Sequence, residues 1–104
     1  MNQMQWLWTW GGECFGYREG DELRTYDGRH VGCFQGAEVY ARDGRYLGEI
    51  MSEDRLVASQ AKASWRQAAF GAQGNRGAYA RFTNYAGNAL AAGHADFPHP
   101  DTLP

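Results

Sequence analysis

The chain has 104 residues, enough for one small domain, with 14 glycines, 14% aromatic residues and only 3 prolines. That balance suits a turn-dense β protein better than a helical bundle. The net charge of −2 is too near neutral to imply a polyanion partner from the total alone, and no apolar run is long enough for a membrane-spanning helix. The opening stretch, MNQMQWLWTW, lacks a basic region and has only a short apolar segment, so it does not read as a signal peptide. Gly12 and Glu13 before Cys14 argue against a lipoprotein cysteine. The expected location is the cytoplasm.

In chain order, the first predicted strand is 5–10, with Trp6, Trp8 and Trp10 on one face. Turn signals then recur every eight residues: Gly11-Gly12, Glu19-Gly20, Asp27-Gly28, Gln35-Gly36 and Asp43-Gly44. Asp-Gly and Gly-Gly supply the positive φ that tight hairpin turns require. The segments between turns predict six further strands at 13–18, 21–26, 29–34, 37–42, 45–50 and 53–58.

The underlying period is 16. Gly12, Gly28 and Gly44 repeat at that step, as do Gly16, Gly32 and Gly48, and Glu22, Glu38 and Asp54. Leu7, Leu23 and Val39 form an apolar column that Arg55 breaks, and Ser52 follows Gly20 and Gly36. With strict two-residue turns, Leu7 faces Gly16, Leu23 faces Gly32 and Val39 faces Gly48. A face of glycine, small residues and one aliphatic ring suits the inside of a narrow barrel. The other face then carries the three tryptophans with Phe15, Tyr17, Tyr26, Val31, Tyr40, Leu47 and Leu56, and the acids Glu22, Glu38, Glu49 and Asp54.

The paired runs Asp27-Gly28-Arg29-His30-Val31-Gly32 and Asp43-Gly44-Arg45-Tyr46-Leu47-Gly48 resemble the four-fold β-flower family, small bacterial proteins of unknown function, over roughly residues 4–58. The resemblance implies a shallow, pseudo-symmetric barrel of β-hairpin petals and brings no catalytic residues with it. The expected fold is therefore mainly all-β, an antiparallel hairpin meander closing into a small barrel over 1–58. Residues 59–104 complete the same domain. Seven strands leave the first without an outer partner, and the weakly alternating segment 77–83 is the candidate to close the ring. Residues 59–70 predict a short helix, with Ser59 as N-cap and Val57, Ala61, Trp65 and Ala68 on one stripe. Residues 84–104, with Pro98, Pro100 and Pro104, read as irregular or as an extended arm.

Several groups carry candidate chemistry. Glu22, Glu38, Glu49 and Asp54 should gather near one rim, with Trp6 and Tyr17 beside them, where they could hold a cation or a basic partner or do acid–base work. Repetition of a duplicated unit explains the same match without any function. Trp6 and Trp8, with Trp10, could form a stacking platform or be covered by the C-terminal half as a second core. Cys14 and Cys33 read as free thiols, and strand alternation puts His30 and Cys33 on opposite faces, against a Cys–His pair. His94, Asp96 and His99 match no trusted metal spacing. Arg66, Arg76 and Arg81, interleaved with Trp65, Phe70, Tyr79, Phe82 and Tyr85, could hold a single strand of nucleic acid, although the charge is small. The reading is a non-enzymatic binding or interaction module without cofactor or metal, its partner a protein or small molecule, with self-association left open. The alternatives are a small hydrolase using the carboxylate rim and a weak nucleic-acid binder.

Overall fold

The computed structural model describes residues 4–71, 74, 76–87, 89–90 and 92–103. Met1–Gln3 and Pro104, which belong to the readings of the N-terminus and the arm, lie outside them. The seven predicted strands are all present: β1 (Met4–Thr9), β2 (Cys14–Glu19), β3 (Glu22–Thr25), β4 (His30–Gln35), β5 (Glu38–Ala41), β6 (Tyr46–Ile50) and β7 (Arg55–Ser59). They form a meander in sequence order that closes where β1 pairs with β7. An odd number of up-and-down strands leaves the first and last pointing the same way. The seam is accordingly parallel, through Trp8 opposite Arg55 and Thr9 opposite Leu56.

Closure corrects two expectations. Residues 77–83 are not a strand, because β7 already supplies the missing partner of β1. A short strand β8 (His94–Asp96) lies antiparallel to the second half of β7. There it extends the seam, and Gly11 donates its N–H to the Asp96 carboxylate at 3.0 Å. The predicted helix at 59–70 is also absent: only Gln60–Lys62 forms a single 3-10 turn, without a side-chain cap from Ser59.

The expected pairings of Leu7 with Gly16, Leu23 with Gly32 and Val39 with Gly48 are observed. Immediately beyond each pair, the register slips by one residue, so that Trp8 faces Cys14, Arg24 faces His30 and Tyr40 faces Tyr46. Phe15, Val31 and Leu47 are therefore bulge residues. They turn inward, where Phe15 and Val31 are buried in the core with Leu7, Leu23, Phe34, Val39 and Leu56, and Leu47 packs against it. This corrects the assignment of Phe15, Val31, Leu47 and Leu56 to the outer face. The extra loop residue and the bulge reverse the faces only of the residues between them, so His30 joins Cys33 on the outer side, as does Cys14.

The bulges accompany different turns at the two ends of the barrel. At one end Gly20-Asp21 and Gly36-Ala37 are two-residue loops, between paired Glu19 and Glu22 and paired Gln35 and Glu38. At the other, the loops are three residues long, with Thr9, Thr25 and Ala41 donating N–H to Glu13, Arg29 and Arg45 carbonyls. The third loop residues, Gly12, Gly28 and Gly44, have φ of 100°, 89° and 92°, as such loops require.

The described residues between 63 and 90 wrap the outside of the barrel as an irregular belt. Gln67, Arg76 and Tyr85 each donate their N–H to the carbonyl of Gly44, Gly28 and Gly12 at 2.9 Å. A belt register of nine residues thus matches a barrel register of sixteen. Phe70 and Tyr79 add N–H bonds to the Arg42 and Tyr26 carbonyls at 3.1 and 2.9 Å. After the belt, the tail enters the core: Phe97 is 4% exposed and meets Phe15 edge-to-face at 5.2 Å. Its ring lies 2.5 Å from where a Cβ on Gly48 would stand, so glycine there makes room for the plug. Pro100 is buried, and Arg29 donates to the Leu103 and Pro100 carbonyls at 2.8 and 2.9 Å. Residues 94–103 are thus part of the fold and not an arm.

Candidate functional site

The repeat places three equivalent outer faces on the hairpins, each covered by the belt and each with its own chemistry. The columns Trp6/Glu22/Glu38, Trp8/Arg24/Tyr40, Cys14/His30/Tyr46 and Tyr17/Cys33/Glu49 occupy matching positions of the β1–β2, β3–β4 and β5–β6 hairpins.

On the β1–β2 face the chemistry is aromatic. Trp6 lies 5.2 Å from Tyr17, 5.6 Å from Tyr79 and 4.7 Å from Phe82, the last two edge-to-face. Trp8 stacks on Tyr85 at 4.0 Å. Tyr17 and Trp8 are only 1% and 7% exposed, whereas Tyr79, Phe82 and Tyr85 are 40–50% exposed. The belt therefore buries part of the tryptophan face and replaces it with a fresh aromatic surface, to which exposed Met4 is added through a contact with the Tyr79 hydroxyl. The indole N–H groups of Trp8 and Trp10 donate to the Thr83 and Ala89 carbonyls at 3.1 and 2.9 Å. Trp6, half-buried, makes no such bond among the described residues. Arg55 lies over the Tyr85 ring at 4.8 Å, and Arg81 over Tyr26 at 5.0 Å.

The β3–β4 face is organised by Arg24, whose side chain is 1% exposed and bonded to Glu22 at 2.8 Å and to the Gly28 and Gly74 carbonyls, both at 2.9 Å. Burying an arginine is tolerable only with this full set of acceptors. Burial lowers the His30 pKa and raises those of Cys14 and Cys33. The thiols are held as neutral SH groups, unlike a reactive cysteine; neither forms a disulfide.

The β5–β6 face carries a charged cluster. The Lys62 ammonium bridges Glu38 and Glu49, each at 2.9 Å. The Tyr40 hydroxyl donates to Glu38 at 2.8 Å and the Tyr46 hydroxyl to Glu49 at 2.7 Å. Hydrogen bonds from Lys62 and then Tyr40 hold the Glu38 carboxyl below its usual range. Those to Glu38 and Glu49 keep Lys62 protonated well above the ordinary range of lysine. Burial, with the Glu49 carboxylate as acceptor, pushes the Tyr46 phenol up to about 12.

The four acids singled out in the sequence thus lie toward one end of the barrel but do not share one site. Glu38 and Glu49 are cross-strand neighbours, Glu22 belongs to Arg24, and Asp54 accepts from the Tyr85 hydroxyl at 3.1 Å. Among the belt arginines, Arg76 pairs with Glu19 at 3.1 Å and Arg81 with Glu13. Among the described residues, no group of three or more His, Cys, Asp or Glu is arranged to hold a metal ion. No helix among the described residues is long and apolar enough to cross a membrane. Sequence reasoning missed Lys62, Arg24, Tyr40 and Tyr46 as organisers of these faces. Comparing the sixteen-residue columns as whole sites, one hairpin against the next, would have brought Arg24, Tyr40 and Tyr46 out; Lys62, the chain's sole lysine, lies outside the repeat. Comparisons with protein-family models, curated proteins and solved structures find no match to this chain.

Proposed function

We propose that this protein is a non-enzymatic interaction module whose contact surface is the aromatic face of Trp6, Tyr79, Phe82 and Tyr85. One observation carries the reading: the belt rings remain 40–50% exposed on a scaffold whose acids are largely engaged by arginine, lysine and tyrosine. Contiguous exposed rings mark contact sites. Rings set edge-to-face beside a Trp6 indole N–H that has no partner among the described residues combine aromatic surface with a donor, as the grooves that bind extended, proline-bearing peptides do. Such a peptide is the partner class the face fits. Three hairpins with the same bulge and the same turn support the likeness to β-flower proteins, and two free thiols suit a reducing compartment.

A hydrolase reading draws less support. Lys62 bridges the cross-strand carboxylate pair Glu38 and Glu49, so that pair is already engaged and not open to a substrate. Pairing of Arg76 and Arg81 with glutamates likewise weakens a nucleic-acid reading. Titration of the full chain with proline-rich decapeptides, followed by NMR, tests the proposal. Saturable shifts at Trp6, Tyr79 and Phe82, lost in Trp6→Ala, are expected. Response to oligosaccharides alone, or to neither class, would overturn it.

A further inference from the structure

A concave site lies away from the aromatic face, at the end of the barrel bearing the three-residue turns. It is a cleft of about 440 Å³ lined by Val31, Ala41, Arg42, Asp43, Arg45, Phe70 and Leu103. This volume lies within the range of small-molecule sites, which are mostly apolar with a few convergent polar groups. The floor fits that description: Val31 and Ala41 are buried, and Phe70 and Leu103 are half-buried. Both apolar walls are fixed by backbone contacts. Phe70 donates its N–H to the Arg42 carbonyl at 3.1 Å and its ring lies 5.2 Å from His30; the Leu103 carbonyl accepts from Arg29 at 2.8 Å. The cleft is thus built by three separate segments: the barrel turn, the belt and the tail.

Its charges are asymmetric. The Arg45 guanidinium donates through Nε to Asp43 at 2.8 Å, and the Arg45 backbone N–H adds a bond at 3.1 Å. The other guanidinium donors of Arg45 remain available, since arginine carries five N–H groups. Arg42 makes no side-chain hydrogen bond or ion pair among the described residues. Two guanidinium groups therefore line the cleft against one carboxylate that is already satisfied, leaving an excess of one positive charge in a chain whose total is −2. An arginine fork matches a carboxylate geometrically.

We propose that this cleft binds a small organic carboxylate with an aromatic or branched apolar body, seated on Val31, Phe70 and Leu103 with its charged end toward Arg42 and Arg45. The carboxylate can come from a free acid or from the C-terminus of a peptide.

NMR titration of the full chain with 3-phenylpropionate, its amide 3-phenylpropionamide and the dipeptide acetyl-Ala-Phe tests this. The acid should give saturable shifts at Val31, Phe70 and Leu103 and bind at least about fivefold tighter than the amide, the margin of a charge-assisted bond. Arg42→Gln and Arg45→Gln should each remove most of that margin while leaving the weak amide affinity unchanged. Arg42 and Arg45 are exposed, so both variants should fold. Tighter binding of phenylpropionate identifies a free acid, and tighter binding of acetyl-Ala-Phe a chain terminus; either supports the site. Equal affinity for acid and amide, shifts confined to other residues, or no saturation up to about 10 mM, weaker than any specific small-ligand site, would overturn it. Trp6→Ala should leave this titration unchanged, which separates it from the peptide-binding reading.

Discussion

The two ends of the barrel are built from the same glycine ladder and are held by different forces. At one end, Gly12, Gly28 and Gly44 sit beneath the belt. A Cβ on any of them would stand 2.1–2.3 Å from the carbonyl oxygen of Tyr85, Arg76 or Gln67. At the other end Gly36, with φ of 64°, would meet nothing within 4 Å. There Arg18 lies over the Phe34 ring at 4.2 Å, Asp21 pairs with Arg18 at 3.1 Å, and Lys62 ties Glu38 to Glu49. At the first end backbone contact with the belt closes over the glycines, in addition to the local Arg29–Asp27 and Arg45–Asp43 pairs; at the second, nothing meets Gly36 and ion pairs supply the cross-links. A repeated sequence feature therefore need not have a repeated cause: glycine answers a steric demand at one end and only a dihedral demand at the other.

This difference can be broken most severely at the sealed end. Phe97→Ala should cost about 3–5 kcal/mol, because it empties a core position beside Phe15 and Gly48; urea denaturation measures it. Gly44→Ala should cost about 3 kcal/mol, since a left-handed φ and an occupied site penalise the same methyl. Gly36→Ala should cost only about 1 kcal/mol, the dihedral penalty alone. Equal losses at Gly44 and Gly36 would remove the distinction. Ser52 takes the Gly36 position in the last hairpin with φ of 64°. Ser52→Gly should accordingly stabilise by up to about 1 kcal/mol, seen as a raised urea midpoint.

Acid sharpens the comparison at the charged end. Glu38 has a lowered pKa when folded. Its contribution is fully present above the unfolded value of about 4.3 and is lost as pH falls through the folded value. Lys62→Met leaves Glu38 beside the Glu49 carboxylate without their shared cation, which removes the cause of the lowered Glu38 pKa and replaces it with like-charge repulsion. Wild-type stability should fall on acidification from neutral pH to below about pH 4, while the variant, weaker at neutral pH, should lose less or gain. Urea midpoints across that range read the crossover, and parallel curves for the two proteins would show that the triad contributes nothing.

The strands and their partners were legible because turn glycines at eight-residue steps specify hairpins locally. The bulges were not. An Asp-Gly pair marks a turn without saying whether the loop is closed by two residues or three, and one additional loop residue reverses the face assignments from there up to the bulge that restores the register. Phe15, Val31 and Leu47 went to the wrong side for that reason, although each is as apolar as its inward neighbours. The belt was hidden for a different reason. Its register is carried by main-chain N–H groups of Gln67, Arg76 and Tyr85, which share no side-chain chemistry. The stripe of Val57, Ala61, Trp65 and Ala68 has helical spacing, and alanine favours helix. Pairing of the same backbone with the Gly44 and Arg42 carbonyls outweighs that local preference. Of the candidate site, alternation along one strand puts Trp6, Trp8 and Trp10 on a shared face, and the repeat sets Tyr17 beside Trp6 on the next strand. Their covering by Tyr79, Phe82 and Tyr85 depends on contacts more than sixty residues away in sequence, which no local pattern records.

Native-state amide hydrogen exchange tests the belt's seating directly. The account predicts strong protection at Gln67, Arg76 and Tyr85, the three N–H groups that donate to the Gly44, Gly28 and Gly12 carbonyls, with fast exchange at exposed belt amides between them. Random-coil exchange at all three positions, beside a protected barrel, would contradict it.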